Sequence, residues 1–161
     1  MAVRLVIFDC DRTLWDHADV SSLRLPYRRL DGDTVVDSRG ERVRLFPGVR
    51  EVLETLRRRG ILVSIASWNR PEHVFPIFEL LGLTPYFIRP KVEFHPRKDA
   101  MIQALLTELA ADGHPLRPEE VLFVDDRPAN LRRVRDALGP VRTVQAGVEI
   151  TDVRAVLGYL E

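Results

Sequence analysis

Asp9 and Asp11 stand two residues apart where an apolar run, Val3-Arg4-Leu5-Val6-Ile7-Phe8, stops abruptly at Asp9-Cys10-Asp11-Arg12-Thr13-Leu14. Paired carboxylates have a definite chemical use. One can attack an electrophile and form a covalent intermediate, while the other gives a proton to the leaving group and then takes one from water. Two anions this close also repel each other and invite a cation. A hard ion such as Mg²⁺ takes carboxylate oxygens together with water and phosphate oxygens. The same spacing also serves as a plain turn after a strand, so the pair by itself leaves both readings open. Other groups bear on the choice: Ser67 after Ile61-Leu62-Val63-Ser64-Ile65-Ala66, Lys98 after His95-Pro96-Arg97, and Asp125-Asp126 directly after Val121-Leu122-Phe123-Val124.

These groups matter only if the chain brings them together. The run through Phe8 lacks a clean alternation, as expected of a strand covered on both faces of a parallel sheet. Residues 16–46 are polar, with turn signals at Asp31-Gly32-Asp33 and Ser38-Arg39-Gly40, and predict a β-hairpin of Thr34-Val35-Val36 and Arg42-Val43-Arg44-Leu45 over the end of the first strand. Pro47 opens a helix with Val49, Val52, Leu53 and Leu56 at helical spacing, closed by Arg57-Arg58-Arg59-Gly60. Residues 61–66 form the second strand, and Pro71 to Leu81 a crossover helix. Tyr86-Phe87-Ile88 reads as a short third strand, followed by a helix carrying Ile102, Leu105, Leu106 and Leu109.

Lys98 falls near the start of that helix, where a cation opposes the helix dipole unless an anion occupies the spot. Residues 121–124 form a fourth strand; Pro128 opens a helix through Leu131, Val134 and Leu138. Val141 to Val144 predicts the fifth strand and Val153 to Leu160 a last helix. The adjacent aspartates also suit a helix cap. Strands alternating with helices predict a three-layer, Rossmann-like α/β fold in one domain, residues 1–161, around a parallel five-stranded sheet. All strand ends then share one edge, where such sheets bind ligands. That edge collects Asp9, Asp11, Ser67, Asp125 and Asp126, with Lys98 in reach: four carboxylates, a hydroxyl and an ammonium, a set suited to Mg²⁺ and a phosphoryl group.

Composition narrows the function classes. With 161 residues, the chain suits one well-buried domain, and 45% hydrophobic with 30% charged residues is ordinary for a soluble protein. No stretch approaches the roughly 20 apolar residues of a membrane span. The first strand begins at once, without the charged leader and apolar core of a signal peptide, so a cytoplasmic location is expected. Zero net charge argues against bulk nucleic-acid binding, and the single Cys10 excludes an internal disulfide or a multi-cysteine zinc site. A monomer is expected. Positive charge is almost entirely arginine, with Lys91 and Lys98 the only lysines.

In order and residue type these segments resemble the four motifs of the haloacid dehalogenase superfamily. More narrowly, Phe8-Asp9-Cys10-Asp11-Arg12-Thr13-Leu14-Trp15, Asp37-Ser38-Arg39-Gly40 to Leu45-Phe46-Pro47, Ile65-Ala66-Ser67, Lys98 and Phe123-Val124-Asp125-Asp126 resemble the magnesium-dependent phosphatase family. The resemblance implies that Asp9 is a nucleophile forming an aspartyl-phosphate, and Asp11 an acid/base whose carbonyl helps hold Mg²⁺. It also implies phosphoryl binding by Ser67 and Lys98, direct metal contact by Asp126, and an indirect role for Asp125. Cys10 and Trp68 complete the expected substrate-binding set, although a cysteine there also suits a small buried filler. An acid/base at position 11 favours phosphate-ester hydrolysis, since relatives that displace halide lack it and transport ATPases commonly carry Thr. Departures fall at Cys10, Arg12 and Trp68.

Caps in this superfamily follow the first motif or lie between the second and third; both intervals here are too short for a large one. An open site suits phosphate on a bulky group, such as phosphotyrosine, an aryl or sugar phosphate, or a glycated phosphate, on a small molecule or a phosphoprotein. Trp15 and Trp68 are candidate stacking walls. A cysteine-dependent phosphatase would need Arg six residues after its nucleophile, and Asp16 stands there. His17, His73, His95 and His114 form no compact zinc pattern, with His95 a candidate for the rim. Two other classes remain: a transferase acting with a carrier protein, and a noncatalytic phospho-ligand binder. Retention of both Asp9 and Asp11 speaks against the binder.

Overall fold

The structure, a computed structural model, describes residues 2–161. Five strands make one parallel sheet: β1 (Leu5–Phe8), β5 (Leu62–Trp68), β6 (Lys91–Glu93), β7 (Val121–Asp125) and β8 (Arg142–Gln145), in spatial order β6-β5-β1-β7-β8. Alternation between two cores explains the continuous apolar runs. Val6, Phe8, Leu122 and Val124 face one, while Leu5, Ile7, Val121 and Phe123 face the other. Helices α1 (Val49–Arg58) and α2 (Pro71–Leu80) cover the first face with Val52, Leu53, Leu56, Val74, Ile77 and Phe78. Helices α3 (Lys98–Ala111) and α4 (Pro128–Leu138) cover the second with Ile102, Leu105, Leu109, Leu131 and Val134. Full burial of one such aliphatic side chain is worth roughly 1.5–3 kcal/mol.

Strand order reverses beside β1: the chain runs outward to β5 and β6, then crosses back to β7 and β8. The switch between β1 and β7 is therefore where this architecture opens a crevice. Gly48 begins α1 at φ 90, a left-handed conformation that favours glycine, and a Cβ there would push on the flexible Arg154 side chain, 2.7 Å from its Cγ. No helix among the described residues is long and apolar enough to cross a membrane.

One expectation is extended and one needs correction. The predicted hairpin forms between β3 (Thr34–Val36) and β4 (Arg42–Arg44), and a further strand, β2 (Arg28–Asp31), pairs with β3 to make a three-stranded antiparallel meander. Its first strand is exposed at every position, and Arg-Arg-Leu-Asp offers no apolar alternation to reveal it. The third parallel strand is Lys91–Glu93, not Tyr86 to Ile88. Thr84–Tyr86 is a 3₁₀ turn led by Pro85, Phe87 packs into the core 4.7 Å from the Phe78 ring, and Arg89 turns the chain at φ 45 before pairing begins. The last helix falls where the sequence predicts one and is a 3₁₀ helix, Val153–Tyr159. Among the described residues there is no large cap: a 3₁₀ turn (Val20–Ser22) and the meander lie between β1 and α1, and α2 and a second 3₁₀ turn separate β5 from β6.

Candidate active site

The ladder continues past β1, with Asp9 N–H donating to Val124 O at 2.9 Å, and so sets Asp9 beside the end of β7. Lys98 is the first residue of α3, yet its side chain is only 1% exposed. Its Nζ donates to Asp9 Oδ1 at 3.0 Å and Asp125 Oδ2 at 2.8 Å, joining strand ends across the switch point. The anion needed to offset a cation at a helix start is thus a pair of carboxylates. Burial alone would depress the Lys98 ammonium, but Asp9 and Asp125 outweigh it and hold the group above the ordinary lysine range.

Asp125 is fully buried and spends its oxygens on protein donors: Lys98, Arg127 N–H at 2.8 Å and Asn130 Nδ2 at 3.1 Å. Asp126 is half-buried and lines the cavity. One oxygen each from Asp9, Asp125 and Asp126 lie within 4.8 Å of one another. Burial, and then the facing carboxylates, push the Asp9 carboxyl well above its ordinary value against the pull of Lys98. Burial likewise raises Asp126. Three carboxylates around one ammonium leave surplus negative charge, and all-oxygen donors fit a hard divalent cation.

Asp11 is held differently, with no cation among its partners. Trp15 Nε1 donates to Oδ1 at 2.8 Å, and Asn69 Nδ2 donates to Oδ2 at 3.1 Å. Burial raises its carboxyl, and those donors only partly counter the rise. Arg12, between Asp11 and Thr13, adopts φ 61; its N–H reaches Trp15 O at 3.1 Å, while Thr13 Oγ1 donates to Asp9 Oδ2 at 3.2 Å. A left-handed arginine costs roughly 1–2 kcal/mol, strain of a kind that concentrates at functional turns.

A cavity of about 260 Å³ opens over these groups. Asp9, Asp11, Lys98 and Asp126 line it together with Trp68, Phe94, Arg127 and Asn130. Trp68 and Phe94 are 44% and 56% exposed, and the Arg70 guanidinium lies 4.2 Å over the Phe94 ring.

The structure separates some residues that the sequence groups together. Cys10 does not line the cavity: its thiol is fully buried in the core, where burial and the flanking carboxylates push its pKa up. Its side chain, two residues past the end of β1, therefore does not reach the cavity where substrate contact was expected. Trp15 is no stacking wall either; it is completely buried, 5.8 Å from the Phe78 ring, with Leu45 bridged across it. His95 pairs with Glu93 away from the cavity wall. Ser67 is fully buried beside the first strand's end and accepts from Asn69 Nδ2 at 2.9 Å. Sequence reasoning assigned no role to Thr13, Asn69, Phe94 or Asn130. Only Thr13, inside the motif, carried a signal.

The fold is that of haloacid dehalogenase-type hydrolases. A HAD-superfamily hydrolase of Geobacter sulfurreducens superposes with TM-score 0.67 at 17% identity, covering 99% of this chain and 97% of that one. A Clostridium difficile protein reaches TM-score 0.71 at 13% identity, with 100% of both chains covered. The N-terminal part of a Bacteroides fragilis protein, containing a phosphatase domain complexed with Mg, gives 0.64 at 17% identity over 99% of this chain and 39% of that one.

The model of the Acid Phosphatase family matches residues 2–157, and the chain belongs to that family. Human magnesium-dependent phosphatase 1 is 34% identical over 90 residues, 55% of this chain and 51% of the human protein. Phosphoglycolate phosphatase of Pasteurella multocida (strain Pm70) is 29% identical over 89 residues, 51% of this chain and 36% of that protein. The matched stretch thus spans about half or less of these curated relatives.

Proposed function

We propose that this chain is a Mg²⁺-dependent phosphatase that hydrolyses phosphate monoesters through an aspartyl-phosphate on Asp9. The observation that carries the reading is the bridge from Lys98 to Asp9 and Asp125 at the switch point, beside an Asp11 held by neutral donors. In the first step an Asp9 carboxylate oxygen bonds to phosphorus, the phosphorus–oxygen bond to the leaving group breaks, and the Asp11 proton passes to the departing oxygen. In the second, a water oxygen bonds to phosphorus, the Asp9–phosphorus bond breaks, and a water proton returns to Asp11.

Asp9, Asp126 and the Asp11 carbonyl would hold Mg²⁺, which when bound neutralises charge on the phosphoryl oxygens. Asp125 acts through its hydrogen bonds, fixing Lys98 and the start of α4. Lys98 and Ser67 bind the phosphoryl oxygens. The exposed faces of Trp68 and Phe94 favour an aryl leaving group, as in aryl phosphates or phosphotyrosine, over a sugar.

The test is phosphate release from aryl, sugar and phosphotyrosine esters, with Mg²⁺ or chelator, by wild type and Asp9→Asn. Magnesium-dependent release that disappears in Asp9→Asn is expected. Equal release by a folded Asp9→Asn protein would remove Asp9 as the nucleophile.

A further inference from the structure

We infer that Ser21, on the segment between β1 and the meander, is a positioning residue that sets the Asp11 carboxyl through Asn69. The inference rests on the proposed role of Asp11 as acid/base. Asn69 is 1% exposed, and its side-chain amide is fully committed. Nδ2 donates to Asp11 Oδ2 at 3.1 Å and to Ser67 Oγ at 2.9 Å, while Oδ1 accepts from Ser21 Oγ at 2.6 Å. Only this orientation serves all three partners, because the reverse would set an amide oxygen against a carboxylate. The carboxylate therefore sets which way the amide faces, and the Ser21 hydroxyl, donating to Oδ1, holds it there.

Ser21 is itself held in place. Its Oγ accepts from Arg70 N–H at 2.9 Å, and its own N–H donates to Asp19 Oδ1 at 3.1 Å in a 3₁₀ turn, Val20–Ser22. The amide bond to Ser67 also fills an acceptor site on that hydroxyl and leaves its single proton to point elsewhere. Removing the Ser21 hydroxyl strands Asn69 Oδ1 and the Arg70 N–H, and frees the amide to rotate away from Asp11. Ser21 is not among the cavity-lining residues, so its effect on turnover must pass through that chain.

Proton donation matters most when the leaving oxygen is basic, so the readout is leaving-group dependence. kcat and KM are measured with p-nitrophenyl phosphate, a good leaving group, and with an alkyl phosphate, a poor one, in Mg²⁺. Ser21→Ala is expected to lower kcat on the alkyl ester on the order of 10- to 100-fold, the scale of losing a partner that orients a reactive group. The aryl ester changes less than about 3-fold, both KM values hold, and Ser21→Thr restores the alkyl rate. Ser21→Thr and Ser21→Val, equal in shape but differing in the hydroxyl, make the same comparison should alanine loosen the turn. Equal losses on both esters, or the same rates for the Thr and Val variants, would overturn the role of Ser21 and leave the phosphatase reading standing. A wild type inactive on both esters overturns that reading, and the inference with it.

Discussion

Asp9 and Asp11 leave the same strand two residues apart, yet their surroundings differ in kind. Asp9 shares an ammonium with Asp125 and faces Asp126, so its ionisation is tied to a charged cluster that a bound cation would complete. Asp11 accepts from the neutral donors Trp15 and Asn69, and burial raises its carboxyl above the ordinary value. In the proposed mechanism a bound cation would favour the Asp9 anion, whereas the donors around Asp11 are neutral and burial raises its carboxyl. Environments that push paired carboxyls apart are how acid and nucleophile roles divide.

The sharpest way to break that division is at the acid. Asp11→Asn should lower kcat for an alkyl phosphate by roughly 10² to 10⁴-fold, with a smaller loss on p-nitrophenyl phosphate. Equal losses would take proton donation away from Asp11. On the charged side, Lys98→Met leaves two buried carboxylates without their cation. A destabilisation of about 3–5 kcal/mol is expected in denaturant melts without metal. Added Mg²⁺ should recover part of it, whereas a metal-independent loss would separate Lys98 from the cation cluster.

Away from both aspartates, Asp37 pins the base of the meander. Burial works against its charge, but N–H donors from Arg24, Arg39 and Glu41 at 2.8, 2.9 and 2.8 Å more than compensate and hold the carboxyl below its ordinary value. Its folded pKa is depressed, so its stabilisation is present above the unfolded value and fades as pH falls through the folded one. Asp37→Ala should cost about 2 kcal/mol at neutral pH, with wild-type and variant melts converging below about pH 4. A pH-independent difference would point to lost packing instead.

The smallest expected effect is at Trp15. Its N–H stabilises the Asp11 anion, so Trp15→Phe should raise the Asp11 pKa further. Activity that needs the protonated acid then persists to higher pH: the alkaline limb of the kcat profile moves up, while the neutral-pH rate changes only a few-fold. A limb that stays put would mean that it reports another group.

What could be read from the sequence follows the same division. The parallel sheet was legible because β1, β5 and β7 are buried on both faces, and their residues say so in runs that are apolar at most positions. Strand-end aspartates, Ser67 and Lys98 converge because a parallel topology places strand ends on one edge. Two edge strands were not legible. Arg28–Asp31 lies wholly exposed, and Lys91–Glu93 buries only Val92 between two charged residues. Nor were Trp15 and Asn69: a buried indole and a rimming one are the same letter, and an asparagine two residues past a strand-end serine acquires its role only when the segment around Ser21 folds over it.

The central claim is that Asp9 takes the phosphoryl group. Rapid mixing with a phosphate monoester in Mg²⁺, followed by acid quench and mass spectrometry of the protein, tests it directly. A burst of protein heavier by one phosphoryl group, mapped to the peptide containing Asp9, sensitive to hydroxylamine and absent in Asp9→Asn, is the expected result. Steady release of phosphate with no acyl-phosphate at any quench time, or a phosphoryl group mapped to another residue, would contradict it.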